Sequence, residues 1–327
     1  MFHRFFAWPA IFLAVICFWN IGGPAVAGKS IQLPEAIDGT LVDHTFLPFH
    51  EQAMRLAQRR SGRKGKKGGK KGKKSGDGAA DESEGDRPDP EILKAFIPRK
   101  ATTEAMDARG FFETGLRPVY PDGLDCQTGD SFFGTGTRGN GTIRAQRFYQ
   151  SRHGGLDIPA KGIDIIAMAD GEVVGKKHGE SIGGTGIILR HSPEETGLGN
   201  WTFTEYKHLK DLLSVELHAR VRQGDVVGVA WNTGTTIGKA YGPSGHYHLH
   251  LTAWHNATGD YKFARKKLIP TDGYWLDPLA MMRGTPIESP AVKNLPDDEK
   301  KVRFAYKTTD GTNHPEGAKV IWPFVCR

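Results

Sequence analysis

Three short stretches hold side chains suited to hydrolytic metal chemistry: His153-Gly154-Gly155-Leu156-Asp157, Tyr206-Lys207-His208-Leu209 and His246-Tyr247-His248-Leu249-His250. Catalytic zinc takes three protein ligands, imidazole nitrogens and carboxylate oxygens, and keeps a fourth position for water. Residues two apart on a strand project to one face, so His248 and His250 share a side. One strand cannot complete a ligand set. A distant His and Asp can, and His153 and Asp157 meet that need. Two glycines and Leu156 between them suit a tight, close-approaching loop that aims both side chains inward.

Each stretch is weak evidence alone, because a His-x-His pair in a strand is more often hydrogen-bonded or exposed than metal-bound. Their combination points to a mononuclear zinc site. Two frames exist for the last stretch, since His246 also lies on the ligand face. Either His248 and His250 form the pair, or His246 and His248 do.

The order and spacing resemble the LytM and lysostaphin type of zinc metallopeptidases, whose pattern is HxxxD, then YxHL, then HLH followed by an apolar residue. Here these are His153 and Asp157, Tyr206 and His208, and His248-Leu249-His250-Leu251. The likeness extends over roughly 141–283, through the Ala169-Asp170-Gly171 turn, Gly224-Asp225-Val226-Val227 and Asp277-Pro278-Leu279. It departs in one place: Ser244-Gly245 is followed by two residues, His246 and Tyr247, where the family has one. The frame with His250 keeps the match of Leu249 and Leu251 and is preferred.

The resemblance implies zinc held by His153, Asp157 and His250, with His208 and His248 beside the bound water as the catalytic histidines. Tyr206 and His246 are then candidates for contact with the substrate or transition state. The implied reaction is hydrolysis of peptide bonds in peptidoglycan stem peptides or cross-links. Zinc would act as Lewis acid and lower the pKa of its water to about 7. Two rival readings belong beside it. One is a non-catalytic activator or binding partner of other wall hydrolases, the other a secreted protease acting on proteins. All five site positions are filled, which favours the enzyme.

The elements expected to carry these residues are short. From Thr142 onward, apolar runs alternate with Gly, Asn or Asp turns: 163–168, 171–174, 185–189, 201–209, 226–231 and 246–254. This pattern predicts an antiparallel β core. The fold class is therefore mainly β, and the resemblance implies a catalytic domain of the LytM and lysostaphin type, with a partly disordered N-terminal region. Alternation through Trp201 to Tyr206 places His208 on the face of Tyr206. Residues 89–140 open on a short helix, with Asp89 as N-cap and Pro90 at its first position. Residues 284–327 form an extension wrapped on the core, ending in an apolar strand from Val320 to Val325.

The N-terminal third divides by composition. An apolar run from Phe5 to Trp19 follows Arg4 and leads to Ala25-Val26-Ala27, which reads as a signal peptide over 1–27. Its 15 residues fall short of the ~20 needed to span a bilayer, so no transmembrane span is expected after cleavage. Ile16 before Cys17 is too bulky for a lipoprotein signal. Residues 28–58 hold one short helix. The linker over 59–88 is first basic, then acidic, and expected to be disordered. Ten Lys or Arg lie in 59–74, and removing them from the net charge of +7 leaves the remainder at −3. The basic block lacks interleaved aromatics, which argues against dedicated nucleic-acid binding. Contact with an anionic envelope surface, or a solvated tether, fits it better. Cys126 and Cys326, the cysteines left after cleavage, are a candidate disulfide. The implied location is exported, with the periplasm favoured over the medium.

Overall fold

The computed structural model describes residues 88–179, 183–212, 214–235 and 245–327, all within one compact unit. The signal peptide, the short N-terminal segment, the linker up to residue 87 and Ser244 lie outside the described residues.

Sixteen short strands and five short helices make up the described chain. The helices are α1 (Pro90–Phe96), α2 (Thr103–Ala108), α3 (Pro193–Thr196), α4 (Pro278–Arg283) and α5 (Ser289–Lys293). The strands are β1 (Arg117–Val119), β2 (Leu156–Pro159), β3 (Asp164–Ile166), β4 (Gly171–Lys177), β5 (Thr185–His191), β6 (Trp201–Leu209), β7 (Arg220–Val221) and β8 (Val226–Val229). They continue with β9 (His248–Asn256), β10 (Tyr261–Ala264), β11 (Lys267–Pro270), β12 (Tyr274–Leu276), β13 (Lys301–Arg303), β14 (Tyr306–Thr308), β15 (Asn313–His314) and β16 (Val325–Cys326).

The centre is a seven-stranded antiparallel sheet of order β12-β9-β6-β5-β4-β7, with β2 also paired to β9. Apart from shifts at 163, 226 and 246, the apolar runs of the sequence became strands near their expected bounds. Both faces of this sheet are covered, which explains why six of the nine residues of β6 are buried. One face packs Leu249, Leu251, Tyr206 and Leu209 into the larger core, together with Val227, Trp322 and Phe324. The other face carries Phe203 and Trp254 into a second core.

The N-terminal segment supplies that second core. Asp89 caps α1 by accepting from Glu91 N at 2.8 Å, and Ala95 and Phe96 face inward. Phe96 and Phe111 stack on Trp275 at centroid distances of 5.5 and 4.1 Å. Such pairs add roughly 0.5–1.5 kcal/mol each beyond area burial. Residues 89–140 are thus packed against the same sheet as the motif residues.

The C-terminal extension closes the other side. Strand β13 pairs in parallel with β1, and β14 pairs with β15 and β16. Cys126 and Cys326 are joined by a disulfide. The segment from Val320 to Phe324 is deeply buried, but only Val325–Cys326 is strand. The expected longer strand fails because its backbone bonds to loops: Ile321 N donates to Met168 O, and Trp322 N to Ala305 O.

Candidate metal centre

Asp157 on β2 is the register partner of His250 on β9, and Lys207 on β6 partners His250 from the opposite side. Cross-strand partners share a face, so these three project together, with His248 two residues earlier on the same face. Gly155 makes the loop before β2 possible. A Cβ there would lie 2.2 Å from Leu251 O and 3.1 Å from His250 Nε2, so only glycine lets this loop rest on β9.

His153 Nε2, Asp157 Oδ1 and His250 Nδ1 converge. Their pairwise separations are 3.0, 3.1 and 2.7 Å. Tetrahedral ligation with bonds of ~2.0–2.1 Å sets donors roughly 3.3 Å apart, so a few tenths of an ångström of expansion would admit zinc. The donor chemistry also fits. Two imidazole nitrogens and one carboxylate oxygen, all buried or half-buried and facing each other, form the ligand set of an open zinc site. The next layer of contacts holds them. His153 Nδ1 donates to Phe132 O at 3.1 Å, leaving Nε2 for the centre. Arg144 donates through Nη2 to Asp157 Oδ2 at 3.2 Å and to Ser131 Oγ at 2.6 Å. That engages one carboxylate oxygen and leaves Oδ1 to the histidines.

His208 and His248 form the second pair, with ring centroids 4.6 Å apart. His208 Nδ1 donates to Thr233 O at 2.7 Å, and His248 Nδ1 to His246 O at 3.0 Å. Each therefore turns Nε2 toward the centre, and His248 Nε2 lies 3.4 Å from Asp157 Oδ1. With His250 they make a second group whose nitrogens could also hold a cation. The carboxylate distinguishes the two groups, since Asp157 brings a negative charge that the three histidines lack.

The position of His208 corrects the expected alternation. Lys207 pairs with Gly186 and Leu209 with Thr185, so His208 is an extra residue on β6, with φ +63. A bulge of this kind re-aims a side chain and is found beside active sites. It turns His208 from the face of Tyr206 toward the cleft and sends Leu209 into the core. Tyr206 itself is corrected as a contact residue. It is fully buried in the larger core, and its hydroxyl accepts from Met168 N at 3.0 Å. Burial pushes its pKa up to about 12. His246 lies beside His248, ring centroids 4.5 Å apart, and faces Asp130 at 3.8 Å. It lies outside both ligand-type groups and lines a small cavity of ≈ 200 Å³.

Burial favours the neutral form of three imidazoles. It lowers His153, and it lowers His208 and His250 well below the ordinary histidine value, with His248 and Lys207 respectively adding to the effect. Neutral imidazole is the form that ligates metal or accepts a proton. Burial alone would raise Asp157, but the facing histidines hold it well below the usual carboxylate range. His191, read as structural, is buried between Asp170 O and Thr204 Oγ1, and burial lowers its pKa to about 4.

The centre opens into a cleft of ≈ 760 Å³. Tyr149 and Trp275 line it, as do cationic side chains to which no motif assigns a role: Arg138, Arg144, Arg152, Lys207 and Lys267 among them. Sequence spacing carries no signal for these, because tertiary packing brings them in from five separate places.

Residues 151–260 match the family model described as Peptidase family M23. No curated protein matches the chain. Among solved structures, the catalytic domain of lysostaphin from Staphylococcus simulans is similar at 24% identity, over 33% of this chain and 70% of that one, with a TM-score of 0.26. A zinc-containing peptidase from Vibrio cholerae is similar at 20% identity, over 43% of this chain and 36% of that one, TM-score 0.28. A point mutant of the catalytic domain of the prophage-encoded M23 protein EnpA from Enterococcus faecalis is similar at 17% identity, over 48% of this chain and 95% of that one, TM-score 0.29. It is the match to the family model that identifies residues 151–260 as a Peptidase family M23 domain.

Proposed function

We propose that this protein is an exported zinc-dependent endopeptidase that hydrolyses peptide bonds of peptidoglycan, in the stem peptides or their cross-links. The observation that carries the reading is the convergence of His153 Nε2, Asp157 Oδ1 and His250 Nδ1 beside the His208 and His248 pair. The three converging groups would hold zinc. Zinc, when bound, supplies Lewis-acid polarisation of the scissile carbonyl and a water of lowered pKa.

The chain's own residues move the protons. His208 and His248 each engage their Nδ1 proton with a backbone carbonyl, so Nε2 is the nitrogen each would use as a base, that of His248 lying 3.4 Å from Asp157 Oδ1. Whichever takes the proton of the attacking water becomes an imidazolium, a donor to the developing oxyanion or to the leaving amine. A charge on His248 disfavours one on His208, so the pair passes a single proton at a time. His246 remains at the edge, as a support for His248 through its carbonyl.

Export is supported by the apolar N-terminal run and by the Cys126–Cys326 bridge, since disulfides persist in oxidising compartments. The periplasm is the compartment proposed. The basic linker would bind an anionic envelope surface there. Digestion of purified peptidoglycan by the zinc-loaded protein, followed by muropeptide analysis, tests the reading and names the bond. Intact muropeptide cross-links and stems after prolonged incubation would refute it and leave the non-catalytic partner and the secreted protease acting on proteins as the alternatives.

A further inference from the structure

The floor of the cleft next to the metal centre is unbalanced in charge. Among the described residues that line it, eight are cationic and two, Asp157 and Glu205, are carboxylates. Asp157 belongs to the metal centre. Glu205 is engaged by Lys207, with Nζ 2.9 Å from Oε2. Lys207 also donates to Thr252 Oγ1 at 3.1 Å, and it is the cross-strand partner of His250. The charge excess therefore begins directly beside a metal-ligand position.

Lys267 is the centre of that excess. Its ammonium lies 5.0 to 5.3 Å from the ring centroids of Tyr149, Trp254 and Trp275 and donates to the Tyr149 hydroxyl. No carboxylate among the described residues lies within ion-pair distance of it. A half-buried cation in an aromatic cage is costly to hold without an anion. Burial, reinforced by Lys207 and opposed in part by Glu205, pulls its pKa down to about 7.

The neighbouring turn adds to the pattern. Strands β10 and β11 are joined through Arg265 and Lys266, at φ +51 and +64. A two-residue hairpin turn with both central residues left-handed favours Asn-Gly, because side chains are strained there. Two long cations occupy it instead, and both line the cleft. Strain retained at a cleft rim is consistent with a binding role.

We propose that Lys267, with Lys207 and the Arg265-Lys266 turn, forms a subsite for a free carboxylate of the substrate, adjacent to the scissile bond. The substrate is then an acidic peptide, and a neutral glycine cross-bridge is disfavoured. This rests on the peptidase reading of the cleft and narrows it to stem peptides that carry a free carboxylate. The incoming carboxylate accepts charge-assisted hydrogen bonds from this cationic group.

Two synthetic peptides that differ only in Glu against Gln test this, titrated calorimetrically into the metal-free full chain at low salt. The Glu peptide should bind about tenfold more tightly, the scale of one charge-assisted bond. Lys267→Gln should bring the two affinities within about twofold. Should that variant fail to fold, Lys266→Glu at the exposed turn should lower the preference at least threefold. Equal binding of both peptides, or a preference unchanged in the folded variants, would overturn the subsite. Purified peptidoglycan, treated with zinc-loaded wild type in parallel, keeps the two ideas separate. A Glu preference with intact peptidoglycan supports the subsite and removes the hydrolytic reading. Cleaved peptidoglycan with no preference does the reverse.

Discussion

Asp157 and His250 face each other across β2 and β9, with Oδ1 2.7 Å from Nδ1 and their Cα atoms in register. Because strand side chains alternate, a slip of one residue in this pairing would oppose His250 with Leu156 or Ile158, both core residues. The ligand geometry is thus specified by the same register that packs the core. Replacing Asp157 by Ala should leave the sheet folded and lower zinc occupancy, measured by metal analysis after reconstitution and desalting. An unchanged stoichiometry of one zinc per chain would remove Asp157 from the ligand set.

The two kinds of histidine should separate in mutants. His250→Ala should lose metal, and His246→Ala should keep it. His208→Ala should also keep it while losing about two to four orders of magnitude in rate, the usual scale for a missing general acid or base. If His246→Ala empties the site and His250→Ala does not, the third ligand is misplaced.

Arg144 should behave as a positioning residue. Its guanidinium spans Ser131 Oγ and Asp157 Oδ2. Arg144→Met should weaken zinc affinity about 10- to 100-fold, as for other outer contacts of metal ligands. Competition with a chromogenic chelator would measure it, and a thermal melt of the metal-free variant would exclude global unfolding. Unaltered zinc affinity would show that the contact does not orient Asp157.

Asp277 gives the fold a pH dependence distinct from the active centre. It caps α4 through Leu279 N at 2.9 Å, accepts from Thr114 Oγ1 at 2.5 Å, and is raised by burial from 3.8 to about 6. The folded chain therefore holds this proton more tightly than the unfolded chain. The resulting stabilisation is full below about pH 4 and is lost as pH rises to about 6, a change of about 3 kcal/mol. Asp277→Asn keeps an acceptor for Leu279 N and removes the titration. Urea unfolding should show the variant gaining on wild type by that order between pH 4 and 7. A constant difference across that range would reject the assignment.

Loss of the Cys126–Cys326 bridge should be costly. The bridge closes a separation of 200 residues, which in the chain-entropy model contributes at most about 5 kcal/mol. Cys326→Ser should lower the unfolding midpoint accordingly, while reduced wild type should match the variant. If non-reducing peptide mapping finds both thiols free in exported protein, the bridge is absent in solution.

How much of this was legible in the sequence differed by residue. His153, Asp157, His248 and His250 were accessible because strand alternation and a glycine-rich loop are local properties. His208 was found by its motif, but its direction was not, since the bulge depends on pairing with Gly186 and Thr185 from another strand. Tyr206 misled for the same reason, because its phenol is claimed by Met168 N from across the core. Arg144 and Lys267 left no local trace at all. Each matters only through what tertiary packing sets beside it, a carboxylate in one case and three aromatic rings in the other.

The C-terminal wrap bears on how this protein can be cut or recombined. Ile166 N donates to Pro323 O at 3.0 Å, Ile321 N to Met168 O at 2.8 Å, and Trp322 Nε1 to Gln127 O at 3.1 Å. The tail thereby clasps the chain that precedes residues 151–260 to strand β3 within them. The stretch that bears family ancestry is consequently shorter than the stretch that can stand as a folded body. An excised fragment limited to 151–260 would lose Trp275 from beside Trp254, together with Phe96 and Phe111 stacked on it, and would leave Met168 O without Ile321 N. Any host receiving that fragment by recombination would have to furnish replacements for both flanks before the histidines could meet.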